Sequence, residues 1–278
     1  MTDFVFIDSG IGGIPYMTTL IKRAPEANCV YIADAANFPY GEKSHEEVVE
    51  CVTALVHKIC YKLEPAVIVV ACNTMSVNAL DVLRAKFPNV KFIGTVPAIK
   101  LAASVSKKRR IGLLATHATC ENPYNIELKN KFASDCTLIN RPDPELISFI
   151  EHNAFTASRE QCLEAVKPAV EFFKEKNCDV IILGCTHFLN FTDVFEEACS
   201  PDIKVVDSVD GVVRHAIEVH EGGVTGGLPP VRRGSEQRSA SEGKALPTLY
   251  VTGFADDLEK EQYFALSSRF GLTFKGKI

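Results

Sequence analysis

Two segments of the chain end in a cysteine followed by small polar side chains. The runs Val67–Thr74 and Val180–His187 each begin with consecutive aliphatic residues, which is typical of a buried parallel strand, and then place Cys72 or Cys185 at the strand's carboxyl end. Open α/β sheets bind their ligands at that end of the strands. Two thiols offered from two such strands suggest one acid and one base that face each other across a cleft.

Opposed thiols suit the inversion of a carbon stereocentre. A thiolate base removes a proton from one face of the carbon, and a thiol returns a proton to the other face. Because a free thiol has a pKa of about 8.5, its thiolate must be favoured by nearby charges or donors. His187 can exchange a proton with Cys185, and Asp8 can do the same near Cys72 if the two halves of the chain close.

Two other uses of these cysteines stay open at this point. Cysteine amidase chemistry, in which a thiolate attacks an acyl group, needs only Cys185 and leaves Cys72 unexplained. Each cysteine taken alone is also compatible with an inert buried residue. The matched settings of the two cysteines favour the paired acid and base.

Two further segments place polar groups before a helix. Asp8 and Ser9 open a glycine-rich turn whose backbone N–H groups, together with the start of a helix, could surround an anion. Pro15 stands where a dinucleotide fingerprint needs glycine, so a nucleotide cofactor is disfavoured. A tight turn alone is the alternative for the first segment, but Asp8 and Ser9 favour ligand binding because they can hold an ammonium and a carboxylate. Tyr40 and Gly41 could seat a carboxylate at the start of the next helix, and a plain loop before the helix explains that segment equally well.

Strands and helices alternate along the chain, which predicts an α/β fold with mostly parallel sheets and right-handed crossovers. The clearest helix follows Ser44 and Glu47, whose spacing matches a capping box, and another is expected over Asp256–Phe270. The predicted strands are Phe4–Asp8, Cys29–Ala33, Ala66–Ala71, Val90–Gly94, Ile111–Thr116, Thr137–Asn140, Val180–Gly184, Ile203–Asp207 and Leu249–Thr252.

The order of these elements indicates a duplicated half. Phe4–Gly10 and Ile111–Thr116 begin two runs of the same style, and each run later reaches its cysteine. We therefore expect two similar, pseudo-symmetric domains with the active site in the cleft between them. The first domain would comprise residues 1–97 and 208–278, and the second domain residues 98–207.

Composition and charge exclude several classes of protein. With 278 residues, 46% of them hydrophobic and 23% charged, the chain reads as a globular protein of about two domains. A net charge of −5 gives no reason to expect nucleic acid, and the basic run Lys107–Arg110 reads as a solvated turn. We find no signal peptide or membrane-spanning run and expect a cytoplasmic protein without a membrane partner. Its 10 cysteines then read as reduced thiols, and their spacing argues against structural zinc.

Five motifs of the chain can be compared with those of known proteins. They are Asp8-Ser9-Gly10, Pro39-Tyr40-Gly41-Glu42-Lys43, Ala71-Cys72-Asn73-Thr74, Val96-Pro97-Ala98-Ile99-Lys100 and Gly184-Cys185-Thr186-His187. Together they resemble the motifs of the glutamate racemases, which belong to the cofactor-independent aspartate/glutamate racemase superfamily. The resemblance covers nearly the whole chain except residues 221–247. Paired cysteine motifs also occur in aspartate and hydantoin racemases and maleate isomerase, whereas the Pro-Tyr-Gly-x-Lys motif resembles the glutamate branch.

The resemblance implies that Cys72 deprotonates D-glutamate and that Cys185 deprotonates L-glutamate, with Asp8 and His187 assisting and with neither cofactor nor metal. It also implies that D-glutamate is made for peptidoglycan synthesis, and, since no extension precedes the first strand, that a cell-wall precursor does not activate the enzyme. Racemisation of aspartate and non-catalytic binding of a small acid are the alternatives, and a homodimer is among the options for the oligomeric state. The implied substrate contacts are Asp8, Ser9, Tyr40, Gly41, Asn73, Thr74, Thr186 and His187, and more loosely Thr116 and Glu151.

Residues 221–247 are rich in glycine and proline and offer almost nothing to bury, so we expect a mobile surface loop. Replacing this segment with a short Gly/Ser linker should leave the Tm nearly unchanged, because loop closure costs only about 0.6 kcal/mol per doubling of length. Thermal denaturation of the two proteins tests this. A large fall in Tm would mean that the segment packs against the body.

Overall fold

The strands of the protein form two separate parallel sheets. The computed structural model describes residues 2–222 and 246–278, and the expected loop at 221–247 falls almost wholly outside them. Every strand pair between these residues is parallel. The strands are β1 Thr2–Asp8, β2 Cys29–Ala33, β3 Pro65–Val70, β4 Lys91–Gly94, β5 Arg110–Ala115, β6 Thr137–Pro142, β7 Val180–Leu183, β8 Lys204–Val206, β9 Thr248–Val251 and β10 Thr273–Lys277.

Helices follow most of the strands and cover the sheets. The α-helices are α1 Ile14–Arg23, α2 His45–Leu63, α3 Asn73–Lys86, α4 Ile99–Val105, α5 His117–Glu121, α6 Pro123–Phe132, α7 Pro144–Asn153, α8 Arg159–Glu175, α9 Thr192–Cys199, α10 Val209–His220 and α11 Asp257–Arg269. Short 3-10 helices lie at Ala35–Asn37, Tyr40–Glu42 and Thr186–Phe191. Within the described part of the chain, none of the helices combines the length and apolar character that crossing a membrane requires.

The two sheets repeat one strand order. The first sheet runs β10-β9-β2-β1-β3-β4 and the second runs β6-β5-β7-β8, so the order β2-β1-β3-β4 recurs as β6-β5-β7-β8. Strands β3 and β7, which lead to Cys72 and Cys185, occupy equivalent places in this repeat. The predicted α/β fold of two similar, mostly parallel sheets is confirmed. The predicted domain boundaries fall between the strands of the two sheets and stay a prediction.

Every predicted strand overlaps an observed strand and ends within two residues of it, and the predicted helix at Asp256–Phe270 is α11. Strand β10, Thr273–Lys277, was not predicted. It lies at the edge of the first sheet, its pairing shifts register between Phe274 and Lys277, and Gly276 has a φ of 76°. An irregular, half-exposed edge strand lacks the alternation by which strands are read from sequence.

The central strand β1 packs against hydrophobic cores on both faces of the first sheet. Phe4 and Phe6 pack into a hydrophobic core that also holds residues of the second sheet, whereas Val5 and Ile7 pack into a core on the other face of the first sheet. All four side chains are buried, as expected for a parallel strand covered on both faces. This burial fixes Asp8, the last residue of β1, at the junction of the two sheets.

Capping boxes fix the starts of two long helices. The box predicted from Ser44 and Glu47 is present at α2, and a second one, Ser158 with Gln161, begins α8. In each, the serine hydroxyl accepts the backbone N–H of the third helical residue, at 3.2 Å.

Removing the second cap should destabilise the protein without touching its cavities. The Ser158→Ala variant loses the acceptor for the Gln161 N–H and should lower the free energy of unfolding by about 1 kcal/mol. The Ser158→Asp variant keeps an acceptor and should stay near the wild type. Urea denaturation measures both, and equal losses in the two variants would contradict the capping account.

Candidate active site

The carboxyl ends of the central strands of both sheets face one cavity of about 240 Å³. Cys72 enters it from the first sheet and Cys185 from the second, so the structure brings the two predicted thiols to one space. The other predicted site residues that line it are Ser9, Tyr40, Gly41, Asn73, Thr74, Thr116, Thr186 and His187. Asp8 and Glu151 do not line this cavity; they lie behind it.

Cys72 caps the N-terminus of α3, because β3 ends at Val70 and the helix begins at Asn73. Burial, more than the neighbouring Asp8 carboxylate, raises the pKa of Cys72 well above its ordinary value. The backbone N–H groups of Met75 and Thr74 act in the opposite direction, because they favour a negative charge on the sulfur. The helix start therefore favours a negative charge on the sulfur, while burial favours the neutral thiol.

Cys185 belongs to a hydrogen-bonded chain that runs away from the cavity. Its Sγ lies 3.6 Å from Nδ1 of His187, and Nε2 of His187 lies 2.7 Å from Oε2 of Glu151. Burial alone would lower the pKa of His187, but the bonds to Cys185 and Glu151 raise it well above its ordinary value. The protonated imidazole can give a proton to the sulfur, and the neutral imidazole that results can take one back from the thiol.

The pKa of Glu151 is lowered although burial opposes this, because His187 and the backbone N–H of Ile11 donate to the carboxylate. The Ile11 N–H lies 3.0 Å from Oε2. Glu151 is therefore held as an anion beside a cationic imidazole. This pairing explains how both groups remain charged in a buried place.

Asp8 lies fully buried beneath the cavity. Its Oδ2 accepts the backbone N–H of Gly13 at 2.6 Å and the hydroxyl of Thr186 at 3.2 Å. Burial raises its pKa from 3.8 to about 6, with His187 acting against the rise. The glycine-rich turn was expected to bind an anion of a ligand, but the N–H groups of Ile11 and Gly13 bind two carboxylates of the protein itself.

Glycines allow the two halves to approach closely at this site. A Cβ at Gly12 would lie 2.6 Å from the backbone nitrogen of His187, and a Cβ at Gly41 would lie 2.8 Å from the side chain of Thr116. Across the same junction, the hydroxyls of Thr74 and Thr116 lie 3.0 Å apart. Residues that follow strands of the first sheet thus touch residues that follow strands of the second.

Sequence reasoning missed Asp34, which follows β2 and is fully buried. The hydroxyl of Tyr40 donates to its Oδ2 at 2.5 Å, and that of Thr252 donates to its Oδ1 at 2.6 Å. The Tyr40 hydroxyl, which was expected to face a ligand, is therefore committed to Asp34. The position of Asp34 at a strand end, equivalent to that of Asp8, is the signal that could have found it. Other lining residues that were not predicted are Phe38, Pro39, Glu42, His117, Pro144, Ile147 and Ser148.

The repeated sheets and the shared cavity define an α/β protein in which a cysteine from each of two similar halves lines one cavity. The sequence profile of the Asp/Glu/hydantoin racemase family matches residues 16–216, and the chain belongs to this family of isomerases.

The chain is similar in sequence or in structure to several glutamate racemases. The chain is 38% identical over 273 residues to a glutamate racemase of Treponema pallidum (strain Nichols), covering 98% of this chain and 95% of that protein. It is 37% identical over 203 residues to a glutamate racemase of Shewanella oneidensis, covering 72% of each. Among solved structures, Escherichia coli glutamate racemase in complex with L-glutamate and the activator UDP-MurNAc-ala is similar with a TM-score of 0.82 and 28% identity, over 100% of this chain and 98% of that one.

The buried carboxyl of Asp8 should make stability depend on pH. Because its pKa in the folded protein is about 6 against 3.8 ordinarily, the folded state holds this proton more tightly, and stability falls as the pH rises through that window. The Asp8→Asn variant has no such titration. We expect the free energy of unfolding of the variant, relative to the wild type, to rise between pH 4 and pH 7 in urea denaturation. A constant difference, or one of opposite sign, would rule out a raised pKa.

Proposed function

We propose that the protein is a glutamate racemase, which interconverts L-glutamate and D-glutamate by proton transfer between Cα and two thiols. The observation that carries the proposal is the presence of Cys72 and Cys185 at equivalent strand ends, both lining one cavity. Its relatives at 37–38% identity support glutamate as the substrate. We further propose that the D-glutamate supplies peptidoglycan synthesis in the cytoplasm.

The proton moves in two balanced steps. With L-glutamate bound, the Cys185 thiolate takes the Cα proton and becomes a thiol, and His187, 3.6 Å away, stabilises the charge of the sulfur before the transfer. The Cys72 thiol then gives its proton to the opposite face of the carbanion. The resulting Cys72 thiolate is stabilised by the N–H groups at the start of α3. D-glutamate reacts by the reverse sequence.

Polar groups around the cavity suit an amino acid with two carboxylates. Asn73 is buried, and its Oδ1 has no hydrogen-bond partner within residues 2–222 and 246–278. This oxygen is therefore available to accept a hydrogen bond from the ammonium group of the substrate. Ser9 and Thr74 line the same cavity, and their hydroxyls can donate to carboxylates, whereas the Thr186 hydroxyl already donates to Asp8. Aspartate carries the same groups on a shorter side chain and is the second candidate substrate.

Circular dichroism with L-glutamate, D-glutamate and L-aspartate in separate reactions distinguishes these substrates. We expect the ellipticity of either glutamate enantiomer to decay to zero, and aspartate to react far more slowly. Faster decay with aspartate would transfer the assignment to aspartate racemase. Binding of glutamate without any decay would support a binding protein, and release of ammonia from an amide would support an amidase.

Each thiol should serve one enantiomer. Cys72→Ser and Cys185→Ser should both abolish racemisation, because a serine hydroxyl does not ionise at neutral pH and is a far poorer base than a partly ionised thiol. With an analogue that carries a leaving group at Cβ, deprotonation alone gives elimination, so Cys72→Ser should still process the L-isomer and Cys185→Ser the D-isomer. Cys162 is as buried as both, at 6% exposure, but lies in α8 away from the cavity. Cys162→Ser is therefore the matched control and should racemise normally. If both active-site variants preferred the same enantiomer, the assignment of one thiol to each enantiomer would be wrong.

Racemisation should need no added cofactor. The described residues contain no cluster of three His, Cys, Asp or Glu side chains placed for a metal ion, and cofactor independence stays a prediction. Purified protein dialysed against a chelator should keep its activity and show no pyridoxal absorbance. Activity that returns only when pyridoxal phosphate or a metal ion is added would contradict it.

A further inference from the structure

We propose that Tyr263, on the C-terminal helix α11, is a positioning residue that holds the Glu151 carboxylate against His187 and so controls proton transfer at Cys185. The proposal rests on the function proposed above. Tyr263 lies outside residues 16–216, which the family profile matches, and it does not line the cavity that holds the two thiols.

The orientation of His187 depends on Glu151. Nδ1 of His187 lies 3.6 Å from Sγ of Cys185, and Nε2 lies 2.7 Å from Glu151 Oε2. An imidazole can present the correct nitrogen to a thiol only if its other nitrogen has a fixed partner. A displacement of the carboxylate would therefore turn the ring or change which nitrogen carries the proton.

The two oxygens of Glu151 are held by different parts of the chain. Oε2 accepts from His187 and from the Ile11 N–H, whereas the Tyr263 hydroxyl donates to Oε1 at 3.4 Å. On another side the carboxylate lies against Gly10, where a Cβ would be 2.5 Å from Oε2. The carboxylate is thus bounded by the turn after β1 and by the phenol of α11.

The Glu151 side chain is not close-packed on every side. Two further cavities, of about 220 and 320 Å³, are both lined by Glu151, His152, Glu259 and Tyr263. A side chain next to empty space can change rotamer, unlike one in a close-packed core. The Tyr263 hydroxyl therefore supplies a restraint that packing alone would not supply, even though its hydrogen bond is long.

Tyr263 borders the same two cavities, but burial in the hydrophobic core holds it in place. It is 5% exposed, and its ring belongs to the large hydrophobic core that spans both sheets. Burial, together with the Glu151 carboxylate, raises its pKa far above the ordinary value for tyrosine. The phenol consequently stays protonated and remains a hydrogen-bond donor throughout the working pH range.

The effect should be confined to one half-reaction. The chain of contacts from Glu151 leads through His187 to Cys185, whereas Cys72 is bordered by Asp8 and by the N–H groups at the start of α3. Racemisation rates alone cannot reveal this asymmetry. Because enantiomers have equal free energy, kcat/KM must change by the same factor in both directions.

Elimination from the two enantiomers of a glutamate analogue with a leaving group at Cβ separates the half-reactions. In Tyr263→Phe we expect elimination from the L-isomer, which uses Cys185, to fall about tenfold, as for a lost hydrogen bond to a charged group. Elimination from the D-isomer, which uses Cys72, should change less than twofold. Ser267→Ala removes another buried hydroxyl of α11, one that donates to Phe264 O within the helix, and should change neither rate.

A double-mutant cycle with Glu151→Gln tests whether Tyr263 acts through Glu151. The double variant should eliminate from the L-isomer no more slowly than Glu151→Gln alone. Additive losses, equal losses with both isomers, or no loss in Tyr263→Phe would overturn the proposal. If Tyr263→Phe does not fold, Tyr263→Met, which also lacks the hydroxyl, must give the same ratio.

Imidazole ¹⁵N resonances of His187 give a readout that needs no turnover. They should shift in Tyr263→Phe and stay in place in Ser267→Ala, with His187→Asn used to assign them. Unshifted resonances in Tyr263→Phe would overturn the positioning role. If the wild type neither racemises glutamate nor eliminates from the analogues, the proposed function fails, and the resonances still decide whether Tyr263 positions the Glu151 and His187 pair.

Discussion

Two buried carboxylates hold the halves of this molecule in register by a reciprocal exchange of hydrogen bonds. Asp8 ends a strand of the first sheet and accepts the hydroxyl of Thr186, which follows a strand of the second. Glu151 belongs to a helix of the second half and accepts the N–H of Ile11 from the first. Each carboxylate takes part of its hydrogen bonding from the opposite half, and because buried charges are costly to leave unpaired, these bonds stabilise the contact between the halves. The same contact keeps Cys72 and Cys185 on one cavity.

The exchange also explains the glycines of the turn after β1. Gly10 lies against the Glu151 carboxylate and Gly12 against the backbone of His187, at distances that leave no room for a Cβ. A glycine-rich turn usually suggests conformational freedom or a phosphate cradle. Here the glycines are needed because they let Glu151 and His187 of the second half come close to the backbone of the turn.

Sequence patterns revealed the parts of the site that lie at the ends of buried strands. Cys72 and Cys185 were found because an aliphatic run stops abruptly at each, and the repeated strand order followed from the same runs. The partners of Tyr40 and Glu151 were not found. Thr252 reaches Asp34, and Tyr263 reaches Glu151, across more than a hundred residues of chain. No local periodicity encodes such contacts, since they depend on how the completed sheets are placed. Strand β10 was missed for a different reason: its irregular edge pairing leaves no alternation to read.

The return of the chain to its first sheet has a consequence for synthesis. Strand β2 is buried along its whole length and pairs with β1 on one side and β9 on the other, yet β9 begins only at Thr248. Until the last part of the chain leaves the ribosome, β2 is an unprotected sheet edge with apolar faces, the kind of surface that invites pairing with other chains. Thr252, which completes the bond network of Asp34 and Tyr40, arrives on the same strand. A truncated or stalled chain would therefore be both prone to aggregation and lacking part of its binding cavity's support.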